Sequence, residues 1–523
     1  MRKLILASLT ISGVLSLQAQ TVAPPAPAPR PRTTPLRGSL QQRLTTLLDQ
    51  PPFDRATWNV YAQDDRGRVL FNRNGDRFSV PASNTKLIVA AAATVLLPPD
   101  YRARTSLYAN GTITNGVVQG DLILYGRGDP TWSERCYTVD TLAPGGCDST
   151  WTVVDAIAES LRARGLKRIT GRLVGDGSYF EPQLTHWNWG TYDVNWYYAA
   201  PVSGLGFHDN SVDFQITPGP FVDAPPVISW VPDLSLFTFE NRARTAPADS
   251  DMTLDLFRLP GGDRIWAAGG IPLGRPPLMQ YFSILDPNLY AARALAASLQ
   301  KKGIAVEGGA TSTTDSLLYR SLRCCGTPLV EYHGRPLPDI VFPILNSSQN
   351  WFAEMLLKIL GREQGDTASW AKGLDVEKHF LVDSVKIDST AFSLEDGSGL
   401  AAGNLVTPHA FVKLLTYMYH HPKRAAFLAG LPRAQQRGSL LRRFAGTPIE
   451  GRVLAKTGSI DRVNTLSGYI ERRTATSSRS PFKPTLTTCR RDKCWPRSIQ
   501  WWCSWRVSLP FDQRAPCSTS APA

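Results

Sequence analysis

Ser83-Asn84-Thr85-Lys86 sets an alcohol and a primary amine three residues apart. On a helix, side chains at i and i+3 lie on one face, a turn apart, so these two groups can meet. A serine hydroxyl is a poor nucleophile until a base takes its proton. A lysine in a dry pocket can be that base, because desolvation and a second nearby cation favour the neutral amine. A helix start also aims backbone N–H groups at developing negative charge. The spacing itself is common: Ser298/Lys301, Ser369/Lys372 and Ser480/Lys483 share it. Each can be read as an N-capping serine with a surface lysine. Only Ser83 heads a run that is apolar nearly all round, from 87 to 97, where a surface lysine has no place.

Two further groups lie downstream. Ser348-Gln349-Asn350 opens another helix-like segment, with a hydroxyl that can both donate and accept and an amide beside it. Lys456-Thr457-Gly458-Ser459 follows a short apolar run and so falls on a strand.

The elements that must position these groups alternate along the chain. Residues 58–62 and 69–72 predict two strands around the polar turn Asp64-Asp65-Arg66-Gly67. Residues 83–97 predict a buried helix, stopped by Pro98-Pro99. From about 106 to 331 the character changes. Short strands are expected at 112–118, 121–125, 171–174, 211–217 and 253–258, with helices at 153–163 and 288–302. Helix signals return at 350–360, 370–380 and 408–419, and 464–470 reads as a strand. The fold class is therefore α/β: a catalytic domain in two parts, 38–105 and 331–471, split by a mainly β insertion over 106–330 that is expected to form two subdomains.

A chain of 523 residues predicts two to four domains at roughly 100–200 residues each. With 42% hydrophobic and 19% charged residues it has material for a sizeable core, which excludes wholesale disorder. The net charge of +13 is unevenly spread. Residues 472–523 hold ten Lys/Arg against two Asp/Glu, residues 1–19 add two more positive charges, and only about +3 remains between them. Without a basic helix, an RNA-binding signature or finger spacing, a nucleic-acid partner is not expected. Arg2-Lys3, an apolar run to Leu17 and the small Ala19 read as a signal peptide over 1–19. That run is short of the roughly twenty residues of a membrane span. The Pro/Ala-rich stretch 20–37 reads as an extended linker. An exported, periplasmic or extracytoplasmic protein follows, with at most peripheral membrane attachment. Cys136 and Cys147 lie ten residues apart in a turn-rich stretch and are expected to bridge. The adjacent Cys324 and Cys325 are not expected to pair, because of strain. No His/Cys set has metal-ligand spacing, so neither a metal nor another cofactor is expected.

The order Ser-x-x-Lys, Ser-x-Asn, Lys-Thr-Gly is the established signature of penicillin-binding proteins and class A β-lactamases. With Pro81-Ala82 before the nucleophile, Gly120 to Leu124 and Gly126 to Pro130 in the insertion, and Asp396-Gly397-Ser398-Gly399-Leu400 followed by Asn404 and Val406-Thr407-Pro408, the chain resembles the low-molecular-weight penicillin-binding proteins of the D-Ala-D-Ala carboxypeptidase/endopeptidase type. The resemblance covers about 38–470. It implies a catalytic domain like that of penicillin-binding proteins and β-lactamases, an antiparallel sheet with helices on both faces. It also implies peptidoglycan stem peptides as substrate and β-lactams as covalent inhibitors. Ser83 would attack the amide between the terminal D-alanines, with Lys86 as base and Ser348 as proton relay. Asn350 would hold Lys86 and the substrate amide. The N–H groups of Ser83 and Ser459 would form an oxyanion hole worth roughly 3–4 kcal/mol per donor. Lys456, with the Thr457 and Ser459 hydroxyls on either side of Gly458, would receive the terminal carboxylate.

A β-lactamase is the nearest alternative. Class A enzymes carry a deacylating Glu in a Glu-x-x-Leu-Asn segment, which does not occur between Asn350 and Lys456, and class C enzymes carry Tyr where Ser348 stands. A non-catalytic wall-binding relative is the other alternative. The tail 472–523 departs from the family pattern: four of the eight cysteines and four of the fourteen tryptophans fall in it. It resembles an out-of-frame terminus, which would leave an open sheet edge near Lys456. Against this, Ile499, Trp501, Cys503, Trp505, Val507 and Leu509 alternate with the period of a strand.

Overall fold

The computed structural model describes residues 38–133, 149–472 and 498–507. The expected signal peptide and linker, the Cys136–Cys147 bridge, Ser480/Lys483 and most of the tail lie outside these residues.

Five antiparallel strands form the catalytic sheet, in the order Val453–Ile460, Val463–Glu471, Ser498–Val507, Ala56–Asp64, Val69–Arg73. The expected open edge between the Lys456 hairpin and the N-terminal strands is absent among the described residues. Ser498–Val507 fills it, with Cys503 opposite Val60 on one side and Leu466 on the other. Its alternating composition suits a strand flanked by two neighbours, which pair the backbone groups on both its sides. The strand that carries Lys456 is left on the rim of the sheet.

Helix Pro408–His420 packs across the sheet. Pro408 occupies its first turn, and the Thr407 hydroxyl accepts from the Ala410 N–H at 3.2 Å to cap it. Helix Lys86–Leu96 is buried from Lys86 to Thr94 and packs against helices Leu337–Asn346 and Asn350–Glu363. It begins three residues later than expected, because Ala82–Thr85 forms a 3₁₀ turn. Ala82 takes a left-handed φ of 48°, and the Thr85 hydroxyl donates to its carbonyl at 3.0 Å. The tighter winding lifts Ser83 out of the helix proper while leaving it one turn from Lys86.

Between these halves the chain forms separate sheets over a hydrophobic cluster of its own, which runs from Leu107 to Val330. The largest is a seven-stranded sheet that opens with the hairpin Arg104–Thr114/Val117–Gly126 and closes with Val330–His333. Two three-stranded sheets and the helices Trp151–Ala163 and Pro287–Lys301 complete it. The single strand expected over 112–118 is wrong. The chain reverses at Asn115-Gly116, both with positive φ, as a two-residue hairpin turn demands. Phe180, Trp189 and Ala199 to Val202 leave the insertion and join the catalytic core instead. Cys324 and Cys325 are joined by a disulfide, contrary to expectation.

Candidate active site

Lys86 is the centre of the site, and its ammonium nitrogen is fully buried. Nζ lies 3.0 Å from Ser83 Oγ, 2.6 Å from Asn350 Oδ1 and 2.7 Å from the Ser398 carbonyl oxygen. Asn350 Oδ1 and the Ser398 carbonyl can only accept, so a neutral amine gives its two hydrogens to them. Its lone pair then faces the Ser83 hydroxyl, which is the arrangement a general base needs. Burial pushes the Lys86 amine down to about 7, against the opposing pull of Asp396 and Glu354.

Ser348 and Lys456 form the opposite wall. Lys456 Nζ donates to Ser348 Oγ and to the Thr457 carbonyl, both at 2.7 Å. Burial, then repulsion from Lys86, holds its amine well below the usual lysine range. Ser348 itself takes a left-handed φ of 64°. Such backbone costs about 1–3 kcal/mol and persists where the surroundings impose it. Here it turns the hydroxyl toward Lys456 before helix Asn350–Glu363 begins.

Along the rim strand side chains alternate, so Lys456 points inward while Thr457 and Ser459 point to the other face. Thr457 Oγ1 donates to Ser439 Oγ at 2.8 Å, and Ser459 Oγ donates to Asn464 Oδ1 at 2.8 Å. Ser83, Lys86, Ser348, Asn350 and Lys456 thus come together, with Gly458 against the Ser83 turn and Thr457 and Ser459 on the other face of the rim strand. Lys456 lies buried behind Ser348 rather than beside the two hydroxyls. The Asn350 amide nitrogen also donates at 2.7 Å to the Tyr198 carbonyl of the insertion.

The other described Ser-x-x-Lys pairs do different work. Ser298 is buried and donates to Asp155. Ser369 Oγ caps the helix that follows it, and Lys372 pairs with Asp375 at the surface. Tyr198, Ser398 and Ser439 escaped the sequence reading as site residues. The first two contribute backbone carbonyls, which no side-chain pattern announces. Glu354 left a readable sign, being an acid one turn after Asn350 in an otherwise apolar run.

The profile of the D-Ala-D-Ala carboxypeptidase 3 (S13) family matches residues 40–478. A D-alanyl-D-alanine carboxypeptidase of Actinomadura sp. (strain R39) is 30% identical over 446 residues, covering 82% of this chain and 78% of that relative. The crystal structure of penicillin binding protein 4 (dacB) from Haemophilus influenzae matches with a TM-score of 0.75 at 21% identity, over 91% of this chain and 96% of that one. The same protein complexed with a β-lactam matches with a TM-score of 0.69 at 21% identity, over 90% and 94%. These likenesses bear out the α/β catalytic fold with its β insertion.

Proposed function

This chain belongs to the D-Ala-D-Ala carboxypeptidase 3 (S13) family, and from that membership we propose how its residues divide the reaction. It is a D-Ala-D-Ala carboxypeptidase, a hydrolase. Ser83 Oγ attacks the carbonyl of the penultimate D-alanine in a peptidoglycan stem peptide, and Lys86 Nζ takes its proton. The N–H groups of Ser83 and Ser459 stabilise the oxyanion. As the C–N bond breaks, the Ser348 hydroxyl passes a proton to the departing D-alanine amine. Water then hydrolyses the Ser83 ester. The observation that carries this reading is the placing of Lys86 Nζ between two fixed acceptors and the Ser83 hydroxyl.

The terminal carboxylate docks on the Thr457 and Ser459 hydroxyls, in the field of Lys456. Among the described residues no carboxylate offsets the burial of Lys456, whereas Asp396 and Glu354 act on Lys86. A bound substrate supplies that missing negative charge. It favours Lys456 as ammonium and, through repulsion, Lys86 as free amine. Binding thereby primes the base. A complete site of this kind supports turnover over the wall-binding alternative.

β-Lactams acylate Ser83 by the same attack. The Haemophilus influenzae protein of this fold, solved in complex with a β-lactam, supports that reading. The enzyme acts outside the cytoplasm, where its substrate is; Arg2-Lys3 and the apolar run after them support export. Labelling with a fluorescent penicillin and mapping of the modified peptide, together with D-alanine release from a D-Ala-D-Ala peptide, tests the assignment. Label on Ser83 is expected, with both activities lost in Ser83→Ala. Label on Ser298 or Ser369 overturns it.

A further inference from the structure

We propose that Glu354 is a positioning residue for the general base, holding the Ser398 carbonyl against Lys86. Glu354 lies one turn beyond Asn350 on helix Asn350–Glu363 and is fully buried. Its Oε1 accepts the Ser398 N–H at 2.7 Å. Its Oε2 accepts the Gly397 N–H at 3.1 Å and the Trp370 Nε1–H at 2.8 Å. The Ser398 residue is thus gripped at its N–H by Glu354 while its carbonyl receives Lys86. Asp396 holds the next peptide directly: it accepts the Gly399 N–H, which shares a plane with the Ser398 carbonyl, at 2.6 Å, and the Ala401 N–H at 2.7 Å. One helix therefore sets Asn350 directly and, through Glu354, the peptide that leads into Ser398, while Asp396 fixes the peptide that carries the Ser398 carbonyl.

The charge matters as well as the shape. Three donors converge on Glu354, and a carboxylate can accept all of them, whereas an amide would turn an N–H against one or more. Burial, then Asp396, pushes the Glu354 carboxyl up, so a group that merely filled this space would be better uncharged. Its negative charge in turn favours protonated Lys86. The other described ionisable groups around this centre are Asp396, Glu377, Lys358, Glu181, His186, Glu395 and Lys456. Of the carboxylates among the described residues, Asp396 and Glu354 act on Lys86 directly.

The proposal rests on Lys86 being the base, and the test separates the two ideas. The acylation rate by a fluorescent penicillin is measured on the full chain, per folded molecule, at pH values on both sides of about 7. In Glu354→Gln the plateau rate is expected to fall roughly tenfold, since a buried hydrogen bond is lost. The acid limb moves to lower pH, since one of the charges that raise the Lys86 pKa is gone. In Glu354→Asp the charge stays, so the limb holds its place while the plateau drops. A lower melting temperature with plateau and limb both unmoved in Glu354→Gln makes the residue structural and overturns the proposal. If that variant fails to fold, an unchanged plateau in Glu354→Asp overturns it. Normal acylation in Lys86→Arg overturns the base assignment itself. An inactive Lys86→Arg beside a Glu354→Gln of unaltered profile overturns the positioning role alone.

Discussion

A Cβ on Gly458 would stand 3.0 Å from the backbone nitrogen of Ser83. The rim strand and the nucleophile turn therefore touch at the point where the oxyanion hole is proposed. Two hydrogen bonds clamp the neighbouring strand to the same turn. The Thr465 hydroxyl donates to the Pro81 carbonyl, and the Asn84 amide donates to the Ser467 hydroxyl, both at 2.8 Å. A methyl on residue 458 would also collide with Thr465 Oγ1 and meet the Pro81 carbonyl at 2.8 Å. Gly458→Ala is expected to push strand and turn apart, at about 1–3 kcal/mol for the overpacking. Displacing the oxyanion donors by a fraction of an ångström to 1 Å lowers acylation by up to roughly a hundredfold. Thermal melting and penicillin acylation measured on the same preparation check this. Wild-type values of both would mean that the strand has room to move away.

Asn350→Asp changes one atom and reverses an effect on Lys86. A carboxylate oxygen would replace an amide oxygen 2.6 Å from Nζ and favour the ammonium form. The Lys86 midpoint rises from about 7, and acylation at neutral pH falls. The acid limb of the rate profile is expected to move to higher pH, opposite to Glu354→Gln. The variant also loses the donor to the Tyr198 carbonyl, so its plateau drops too. A limb that stays in place would separate Asn350 from the titration of the base.

The proposed mechanism requires Lys86 without its proton in the unaltered protein. The rate should therefore climb as pH rises through about 7 and flatten above it. Lys86→Arg keeps the charge but cannot lose it, because a guanidinium stays protonated. A fall of about 10²–10⁴ is expected, the range for removal of a general base. Acylation kinetics as a function of pH decide this, and a flat profile in the unaltered protein would count against the assignment.

The three motifs and the buried helix behind Ser83 were legible because they rest on side-chain type and spacing. Lys86 betrayed itself by sitting among Leu87, Ile88 and Val89 with no polar face to join. The Ser398 and Tyr198 carbonyls were not legible, since a backbone acceptor carries no residue signature. The turn at Asn115-Gly116 was written in the sequence. Apolar residues on both sides, Ile113 and Val117-Val118, disguised two strands as one. Alternation of Lys456 with Thr457 and Ser459 was implicit in any strand, yet the motif read as one group hid the fact that its side chains part to opposite faces. The strand order was only partly legible: the alternation over 499–509 hinted at a strand beside the preceding Val463–Glu471, but its pairing on the other side is with Ala56–Asp64, far away in sequence.

That strand leads to the last prediction. Ser498–Val507 pairs along its length with Ala56–Asp64 and with Val463–Glu471, and so joins the Lys456 hairpin to the rest of the sheet. Removing residues 472–523 leaves the inner edge of each neighbour unpaired and takes away the backbone link between them. Helix Pro408–His420 also packs against this strand and would lose part of its support. The Lys456 hairpin would then be held mainly by its contacts to the Ala82–Thr85 turn. Melting temperature should fall sharply. Acylation should fall with it, by up to roughly a hundredfold for a shift of about 1 Å at the third motif. Ser504→Pro is the gentler test, since it removes one ladder donor from the middle of a strand with neighbours on both sides. Both changes act on the sheet and leave Ser83, Lys86 and Ser348 untouched. If neither lowers stability or acylation, the tail is dispensable to the sheet, as an out-of-frame terminus would be. If both do, residues 498–507 are a structural strand of the enzyme.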